Sequence, residues 1–176
     1  MLNNPLMVRE RVMNITLIAA MERSNGIGMA GKLPWRLKGD LAHFKAYTLG
    51  KLIVMGTNTL KPFKKPLPGR RTVLLTRSNE LMSKFGNTVE YASSVEQVLA
   101  LAQGEDELVI AGGAQVYETF MPYATRLIIT YVHADVRSDS FFPTISSQWE
   151  LLDNQAFSKD EDNEYAFNIC RYELAK

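Results

Sequence analysis

Short apolar runs alternate with amphipathic segments along most of this chain. The continuous runs are typical of strands buried on both faces, and they predict strands near 15–21, 52–55, 72–76, 88–91, 108–111 and 127–133. Apolar residues at helical spacing, together with helix-start signals, predict helices near 37–48, 57–63 and 94–103, and one directly after Gly113. Strands that alternate with helices indicate an α/β fold, a mainly parallel sheet with helices on both faces.

The last third of the chain carries strand signals only. Segments 149–152 and 165–174 flank the polar loop 158–164 and predict an antiparallel pair that closes one edge of the sheet. No internal repeat divides the chain, so we expect one domain over residues 13–176. Residues 1–12 lack the apolar core of a signal peptide, and we expect a disordered N-terminal extension there, either native or introduced.

The composition narrows the class of protein. With 46% hydrophobic residues, 22% charged residues and a net charge of +1, the chain offers no basic surface for nucleic acid. No segment reaches the roughly 18 apolar residues of a membrane span. One cysteine, Cys170, cannot form an internal disulfide, and with two histidines it assembles no metal site by spacing. We therefore expect a cytoplasmic protein without a metal.

One carboxylate stands where an apolar helix begins. Asp40 shares a helix face with Leu37, Leu41 and Phe44. A carboxylate on the apolar face of a core helix is costly to bury unless something pairs with it. Two interpretations stay open at this point: Asp40 bonds a neighbouring backbone group, or a ligand with a cation or N–H groups docks on it.

Three predicted strand ends carry glycine, hydroxyl or guanidinium groups. These are Gly56-Thr57-Asn58-Thr59, Thr76-Arg77-Ser78 and Ala111-Gly112-Gly113-Ala114-Gln115. Each alone is more often plain turn geometry or a solvated side chain. In a parallel sheet, however, all three meet at one edge, where backbone N–H groups and a positive charge can bind phosphate. Together they predict a dinucleotide site, although no G-x-G-x-x-G sequence follows the first strand.

Ten ordered segments carry a family resemblance. They are LIAAM (17–21), NGIG (25–28), LPW (33–35), DLAHFK (40–45), VMGTNT (54–59), PLPGR (66–70), LLTR (74–77), AGGAQVY (111–117), TYVHAD (130–135) and DSFFP (139–143). With these, the chain resembles the dihydrofolate reductases of the chromosomal bacterial type from about residue 14 to its end. The resemblance implies a monomer that reduces 7,8-dihydrofolate to 5,6,7,8-tetrahydrofolate with NADPH, sending hydride to C6 and a solvent-derived proton to N5. It also implies antifolates such as trimethoprim or methotrexate as ligands.

The same resemblance assigns roles at the substrate end. In this family the acid on the first helix is the only ionisable side chain of the pterin pocket, and Asp40 matches it. Thr130 would brace Asp40, and Trp35 would hold an active-site water. Arg70 would bind the α-carboxylate of the glutamate tail. The full expected substrate set is Ile18, Ala19, Leu41, Phe44, Lys45, Phe63, Leu67, Arg70, Ala111 and Tyr117.

The resemblance also implies a set of cofactor-binding positions, at some of which this chain departs from its relatives. The expected set is Ala20, Ile27, Gly28, Leu33, Gly56, Thr57, Asn58, Thr59, Leu75, Thr76, Arg77, Gly112, Gly113, Ala114, Gln115 and Val116. Many bacterial relatives have an arginine where this chain has Thr57, so we expect Arg77 to select NADPH, with Lys61 or Lys64 as the competing possibility. We expect loop 22–36 to act as a lid held by Asp139.

Two other functions remain as alternatives. One is the reductase of riboflavin biosynthesis, which shares this architecture and acts on a ribosylated aminopyrimidine. The L-P-W loop at 33–35 and the D-L-A-H-F-K helix at 40–45 argue against it. The other is a non-catalytic folate- or nucleotide-binding module, against which the set of Asp40, Trp35 and Thr130 argues.

Overall fold

An eight-stranded sheet forms the centre of the fold. The computed structural model describes residues 13–176, so the expected N-terminal extension, 1–12, lies outside the described residues. The strands are β1 (Asn14–Met21), β2 (Gly26–Gly28), β3 (Leu52–Gly56), β4 (Arg71–Leu75), β5 (Glu90–Ala92), β6 (Glu107–Ile110), β7 (Arg126–Val132), β8 (Ser140–Phe141), β9 (Trp149–Phe157) and β10 (Phe167–Leu174). The helices are α1 (Lys38–Thr48), α2 (Thr57–Leu60), α3 (Met82–Phe85), α4 (Val95–Leu101) and α5 (Ala114–Phe120).

The strand order confirms the predicted fold class. Across the sheet it runs β5-β4-β3-β6-β1-β7-β10-β9. The six strands from β5 to β7 are parallel, whereas β10 pairs antiparallel with both β7 and β9. The C-terminal pair therefore closes one edge of the sheet, as the sequence indicated.

Both faces of the sheet are covered, because each central strand sends alternate side chains to opposite sides. From β1, Leu17 packs into an apolar cluster that includes Val98 of α4 and Phe120 of α5. Its neighbour Ile18 packs on the other side, in a cluster that includes Leu60 of α2 and Phe44 of α1. This arrangement explains why these strands appear in the sequence as continuous apolar runs.

Several element boundaries differ from the prediction. The helix expected over 57–63 ends at Leu60, because Pro62 has no N–H to donate and restricts Lys61 before it. The strand expected at 88–91 runs over Glu90–Ala92 and follows the single-turn helix α3, which is too short to show a periodic pattern. Helix α4 begins as predicted, with the Ser94 side chain accepting from the Gln97 N–H, and ends at Leu101 rather than at 103.

A second, two-stranded sheet was missed. Strand β2 lies inside the glycine-rich loop 22–36 and pairs with β8. Because β2 is three residues long and two of them are glycine, it carries no alternating pattern. This pairing ties the loop to the segment that contains Asp139.

None of the helices within residues 13–176 combines the length and the apolar character that crossing a membrane requires.

Candidate active site

A cleft of about 1330 Å³ opens along the carboxyl ends of the parallel strands. It brings together the three strand ends that the sequence singled out, and Asp40 lies in the same cleft. Its lining includes most of the predicted site residues: Ile18, Ala19, Ala20, Ile27, Gly28, Leu33, Asp40, Leu41, Phe44, Gly56, Thr57, Asn58, Thr59, Phe63, Leu75, Thr76, Arg77, Ala111, Gly112, Gly113, Ala114, Gln115, Val116, Tyr117 and Thr130. Residues from distant parts of the chain thus form one site.

Asp40 lies in the first turn of α1 and accepts a hydrogen bond from a side chain rather than from the backbone. The Thr130 hydroxyl on β7 donates to Asp40 Oδ1 at 2.6 Å. The Gly39 N–H in the first turn of α1 donates to Asn163 Oδ1 at 2.9 Å rather than to Asp40, so capping does not explain this carboxylate. Burial raises the pKa of Asp40, while the bond from Thr130 and the charge of His43 act in the opposite direction. Asp40 makes no salt bridge within residues 13–176 and keeps acceptor capacity for a ligand.

The face of α1 that carries Asp40 is only partly a core face. Leu37 is buried and Phe44 is half-buried, as expected. Leu41, however, is 55% exposed, so the apolar face of α1 does not continue into the core at this position. Because α1 borders the cleft, this side chain forms an open apolar wall instead.

Two glycines allow the strand ends of β3 and β6 to approach closely. The Gly56 N–H donates to the Gly112 carbonyl at 2.8 Å. A Cβ at Gly56 would lie 2.9 Å from Val116 Cγ2, and one at Gly112 would lie 3.0 Å from the Tyr117 hydroxyl. Gly112 also has a φ of +105°, a backbone conformation that residues other than glycine rarely adopt. The shape of the cleft here depends on these two positions.

The donors along this part of the cleft suit a dinucleotide. Among residues 13–176, no side chain caps the first N–H groups of residues 57–59 or 114–116, which leaves those groups available to a ligand. The Thr57 and Thr76 hydroxyls are linked at 3.0 Å and join two strand ends. Arg77 is exposed and forms no ion pair within the described residues 13–176, so its charge is available to a phosphate.

Loop 22–36 borders the cleft through Ile27, Gly28 and Leu33. Two hydrogen bonds join it to Asp139: the Ala30 N–H donates to Asp139 Oδ2 at 3.0 Å, and the Asp139 N–H donates to the Gly28 carbonyl at 2.9 Å. The loop is therefore held at the partner that the resemblance implies.

Four predicted site residues do not line the cleft. The Arg70 guanidinium donates to the Pro68 carbonyl in its own turn and to the Thr48 hydroxyl at the end of α1. Leu67 packs against the apolar cluster beneath α1, and Lys45 is exposed. Trp35 is buried beside Leu37. Their expected roles stay predictions.

Some lining residues were missed. These include Met55, His43, Lys32, Ser94 and Ser140. Met55 directly precedes the segment Gly56–Thr59, so extending that segment by one residue would have found it. Ser94 follows the predicted strand 88–91 and was considered only as a helix start. His43 stands one helical turn after Asp40, and that spacing was the available signal.

The fold and the cleft define an α/β protein with a site suited to a dinucleotide, next to the helix that carries Asp40. The family model for dihydrofolate reductase matches residues 14–174. The chain is 44% identical over 167 residues to the dihydrofolate reductase of Neisseria meningitidis serogroup A, covering 92% of this chain and 100% of that protein. It is 41% identical over 155 residues to dihydrofolate reductase type 3 of Salmonella typhimurium, covering 88% and 94%.

A solved structure agrees with these relatives. The dihydrofolate reductase from Enterococcus faecalis, complexed with NADP(H) and RAB-propyl, superposes with a TM-score of 0.84 at 34% identity, covering 93% of this chain and 97% of that one. The chain belongs to the dihydrofolate reductase family. It is an enzyme that reduces dihydrofolate with NADPH, which confirms the activity and the cofactor that the resemblance implied. The riboflavin-pathway and non-catalytic alternatives are thereby set aside.

Proposed function

We propose that Asp40 is the group through which this chain promotes the reduction of dihydrofolate. The observation that carries the proposal is its placement: a carboxylate in the cleft, oriented by the Thr130 hydroxyl at 2.6 Å, with acceptor capacity left over. A carboxylate pairs with two neighbouring N–H donors in a bidentate manner. The 2-amino group and N3 of the pterin present that pair of donors, so Asp40 binds the ring there.

NADPH, when bound, supplies the hydride that reaches C6 of the pterin. Asp40, engaged at the 2-amino group and N3, does not contact N5, so water delivers the proton. The negative charge of Asp40 favours the protonated pterin electrostatically, more effectively in a partly desolvated cleft than in water. Trp35 supports this account, because its Nε1 is buried without a hydrogen-bond partner within residues 13–176 and can hold an ordered water.

The residues that would hold the cofactor lie at the opposite end of the cleft. Backbone N–H groups of 57–59 and 114–116 would bind the pyrophosphate, and Arg77 would bind the 2′-phosphate. Ala20, Ile27 and Leu33 would flank the nicotinamide and keep water from it. The donor set and the apolar wall together fit NADPH.

The setting of the enzyme is part of the proposal. We place it in the cytoplasm as a monomer, where its lone cysteine, Cys170, would stay reduced. Antifolates that present paired N–H donors, such as trimethoprim or methotrexate, would bind Asp40 in place of the pterin. Ala111, smaller than the isoleucine common in relatives, would enlarge the pocket near such a ligand.

The test is the loss of absorbance at about 340 nm with dihydrofolate and NADPH, measured for the native chain and for Asp40→Asn. The native chain is expected to be active, and the same assay with trimethoprim measures whether this antifolate inhibits it. The variant is expected to lose most activity at neutral pH and to regain part of it in acid, where dihydrofolate is protonated in solution. An Asp40→Asn enzyme within a few-fold of the native rate at pH 7 would contradict the role of Asp40.

A further inference from the structure

One titratable side chain of the cleft has no place in the roles proposed above. His43 lies one helical turn after Asp40 on α1, is half-buried and lines the same cleft. Its Nε2 is buried and has no hydrogen-bond partner within residues 13–176. Buried polar atoms normally have a partner, so a water molecule or a ligand atom is expected at this nitrogen. His43 belongs to the D-L-A-H-F-K segment at 40–45 that carries the resemblance, but the resemblance assigned it no role.

The surroundings of His43 hold few charges. On α1 itself, Asp40 precedes it by three residues and Tyr47 follows by four, with the two ring centroids of His43 and Tyr47 6.3 Å apart. Strand β7 contributes the uncharged Thr130 hydroxyl, which is already bonded to Asp40. The side of α1 that packs on the sheet does so among apolar residues, including Ile18.

A charged cluster begins beyond Tyr47. The Tyr47 hydroxyl donates to Glu107 of β6, and that carboxylate is also paired with Lys51 and with Arg126 of β7. The opposite charges in this cluster offset one another. Within the described part of the chain, Asp40 is the charged group whose influence on His43 is resolved.

The coupling between the two side chains runs in both directions. Burial lowers the pKa of His43, and the charge of Asp40 partly restores it. Burial likewise raises the pKa of Asp40, and a positive His43 lowers it. The imidazole is therefore neutral at neutral pH and gains a positive charge in acid, beside the carboxylate.

We propose that His43 is a positioning residue of the substrate pocket that acts through Asp40. In its neutral form it leaves the full charge of Asp40 to the protonated pterin, and in its protonated form it offsets that charge and repels the pterin cation. This inference rests on the proposed role of Asp40. It gives the enzyme a built-in brake at acidic pH, where protonation of free dihydrofolate would otherwise keep raising the rate.

The first test is the pH profile of kcat/KM for dihydrofolate in His43→Gln, which keeps a polar side chain but does not titrate. Near pH 8, where His43 is neutral, the ratio of the variant to the native kcat/KM is the reference that absorbs any structural effect of the substitution, and at lower pH the variant is compared with it. Below about pH 6 the variant is expected to exceed the native enzyme by about three- to tenfold relative to that reference, the effect of one unit charge across a partly solvated helical turn. His43→Phe is expected to show the same gain in acid with a raised KM at every pH, because it also lacks the polar atom.

His133→Gln is the matched control. His133 is the other histidine of the chain, is exposed, and bonds Asn168 away from the cleft. Its variant is expected to follow the native profile throughout. A ratio of His43→Gln to native enzyme that stays constant at every pH would overturn the inference, because a purely structural role predicts that result.

The second test does not use activity. Two histidines give two imidazole NMR signals, and His133→Gln assigns them. In Asp40→Asn the titration midpoint of His43 is expected to fall, because the charge that raises its pKa is gone. An unchanged His43 midpoint would overturn the inference. If Asp40→Asn is inactive and the His43 midpoint does not change, the inference about His43 is wrong and the proposed role of Asp40 stands. If Asp40→Asn is active, the proposed role of Asp40 is itself wrong.

Discussion

Two half-buried carboxylates of this chain are each bonded to a threonine of the central sheet, yet they serve different purposes. Asp40 accepts from Thr130 on β7, and Glu107 accepts from Thr16 on β1. Glu107 is the first residue of the central strand β6 and lies at its amino end, whereas the cleft opens at the carboxyl ends of the strands. The two environments differ in the number of further partners that each carboxylate has.

Glu107 is fully engaged. Besides Thr16 it has Tyr47, Lys51 at 2.9 Å and Arg126 at 3.4 Å. Burial alone would raise the pKa of Glu107, but these bonds outweigh it and hold the pKa below its ordinary value. At Asp40, with one bonded partner, burial prevails and the pKa is raised. A saturated carboxylate stabilises the fold, whereas an unsaturated one in a cleft is available to a ligand.

The largest expected effect comes from neutralising the unsaturated carboxylate. We expect Asp40→Asn to slow hydride transfer by about 10²–10³-fold at neutral pH, the size seen when one preorganised electrostatic group is removed. Its free energy of unfolding should be unchanged or higher, because a group with a raised pKa costs stability as the pH rises past that pKa. Single-turnover kinetics measures the rate of hydride transfer, and urea unfolding measures the free energy of unfolding. If the inactive variant were also markedly unstable, Asp40 would be a residue that stabilises the fold, as Glu107 does, and the contrast between the two carboxylates would be wrong.

The arginines extend the same comparison. Arg126 is engaged by Glu107 and Glu173, whereas Arg77 has no ion pair within residues 13–176. Lys61, a competing candidate for the 2′-phosphate, is already paired with Glu80. We expect Arg77→Ala to reduce the preference for NADPH over NADH by about ten- to hundredfold, the worth of a charge-assisted hydrogen bond. The test is to measure the Michaelis constants for NADPH and NADH in the native enzyme and in Arg77→Ala. If the ratio of the two constants is the same in both proteins, Arg77 does not determine the preference for NADPH.

The saturated carboxylate should show the opposite profile. We expect Glu107→Gln to retain activity within a few-fold and to lose about 1–3 kcal/mol of unfolding free energy. The depressed pKa of Glu107 contributes stability that is present above its ordinary value and lost as the pH falls. Native stability should therefore drop more steeply in acid than that of the variant. Glu80→Gln, in an exposed pair with Lys61, is the control and should change stability by less than about 0.5 kcal/mol.

The smallest effect is expected at an exposed carboxylate. The Asp139 carboxylate accepts from the neighbouring Ser140 hydroxyl and, within loop 22–36, from the Ala30 N–H. Asp139→Ala should slow hydride transfer and weaken NADPH binding by about three- to tenfold, the worth of one such bond, and leave dihydrofolate binding unchanged. Stopped-flow rates and cofactor titration measure both. Native kinetics in this variant would mean that backbone contacts, the β2–β8 pairing and the bond from the Asp139 N–H to the Gly28 carbonyl, are enough to hold the loop.

Much of the fold could be predicted because its signals are local. The apolar runs of the central strands and the cap at Ser94 depend on neighbouring residues, and the meeting of the three strand ends follows from parallel topology alone. The single-turn helix α3 and the short strand β2 lack enough residues to show a period. They could not be found from the pattern.

The site was less predictable, because its decisive contacts join distant residues. Asp40 could be singled out from its place on a helix, but its partner Thr130 came only from the family resemblance. Nothing local predicts the Glu107 cluster, in which Thr16 lies 91 residues away along the chain. Arg70 combines both cases: its guanidinium donates to the nearby Pro68 carbonyl and to the Thr48 hydroxyl, 22 residues away, and neither contact could be predicted from spacing.

The contrast between Asp40 and Glu107 can be measured directly by ¹³C NMR titration of the side-chain carboxyl carbons in the native enzyme. Asp40→Asn and Glu107→Gln assign the two signals. The account predicts a midpoint for Asp40 above its ordinary value of 3.8 and a midpoint for Glu107 below its ordinary value of 4.5. An Asp40 midpoint at or below 3.8 would show a carboxylate already satisfied by the protein, and would contradict its proposed role as the group held open for the pterin.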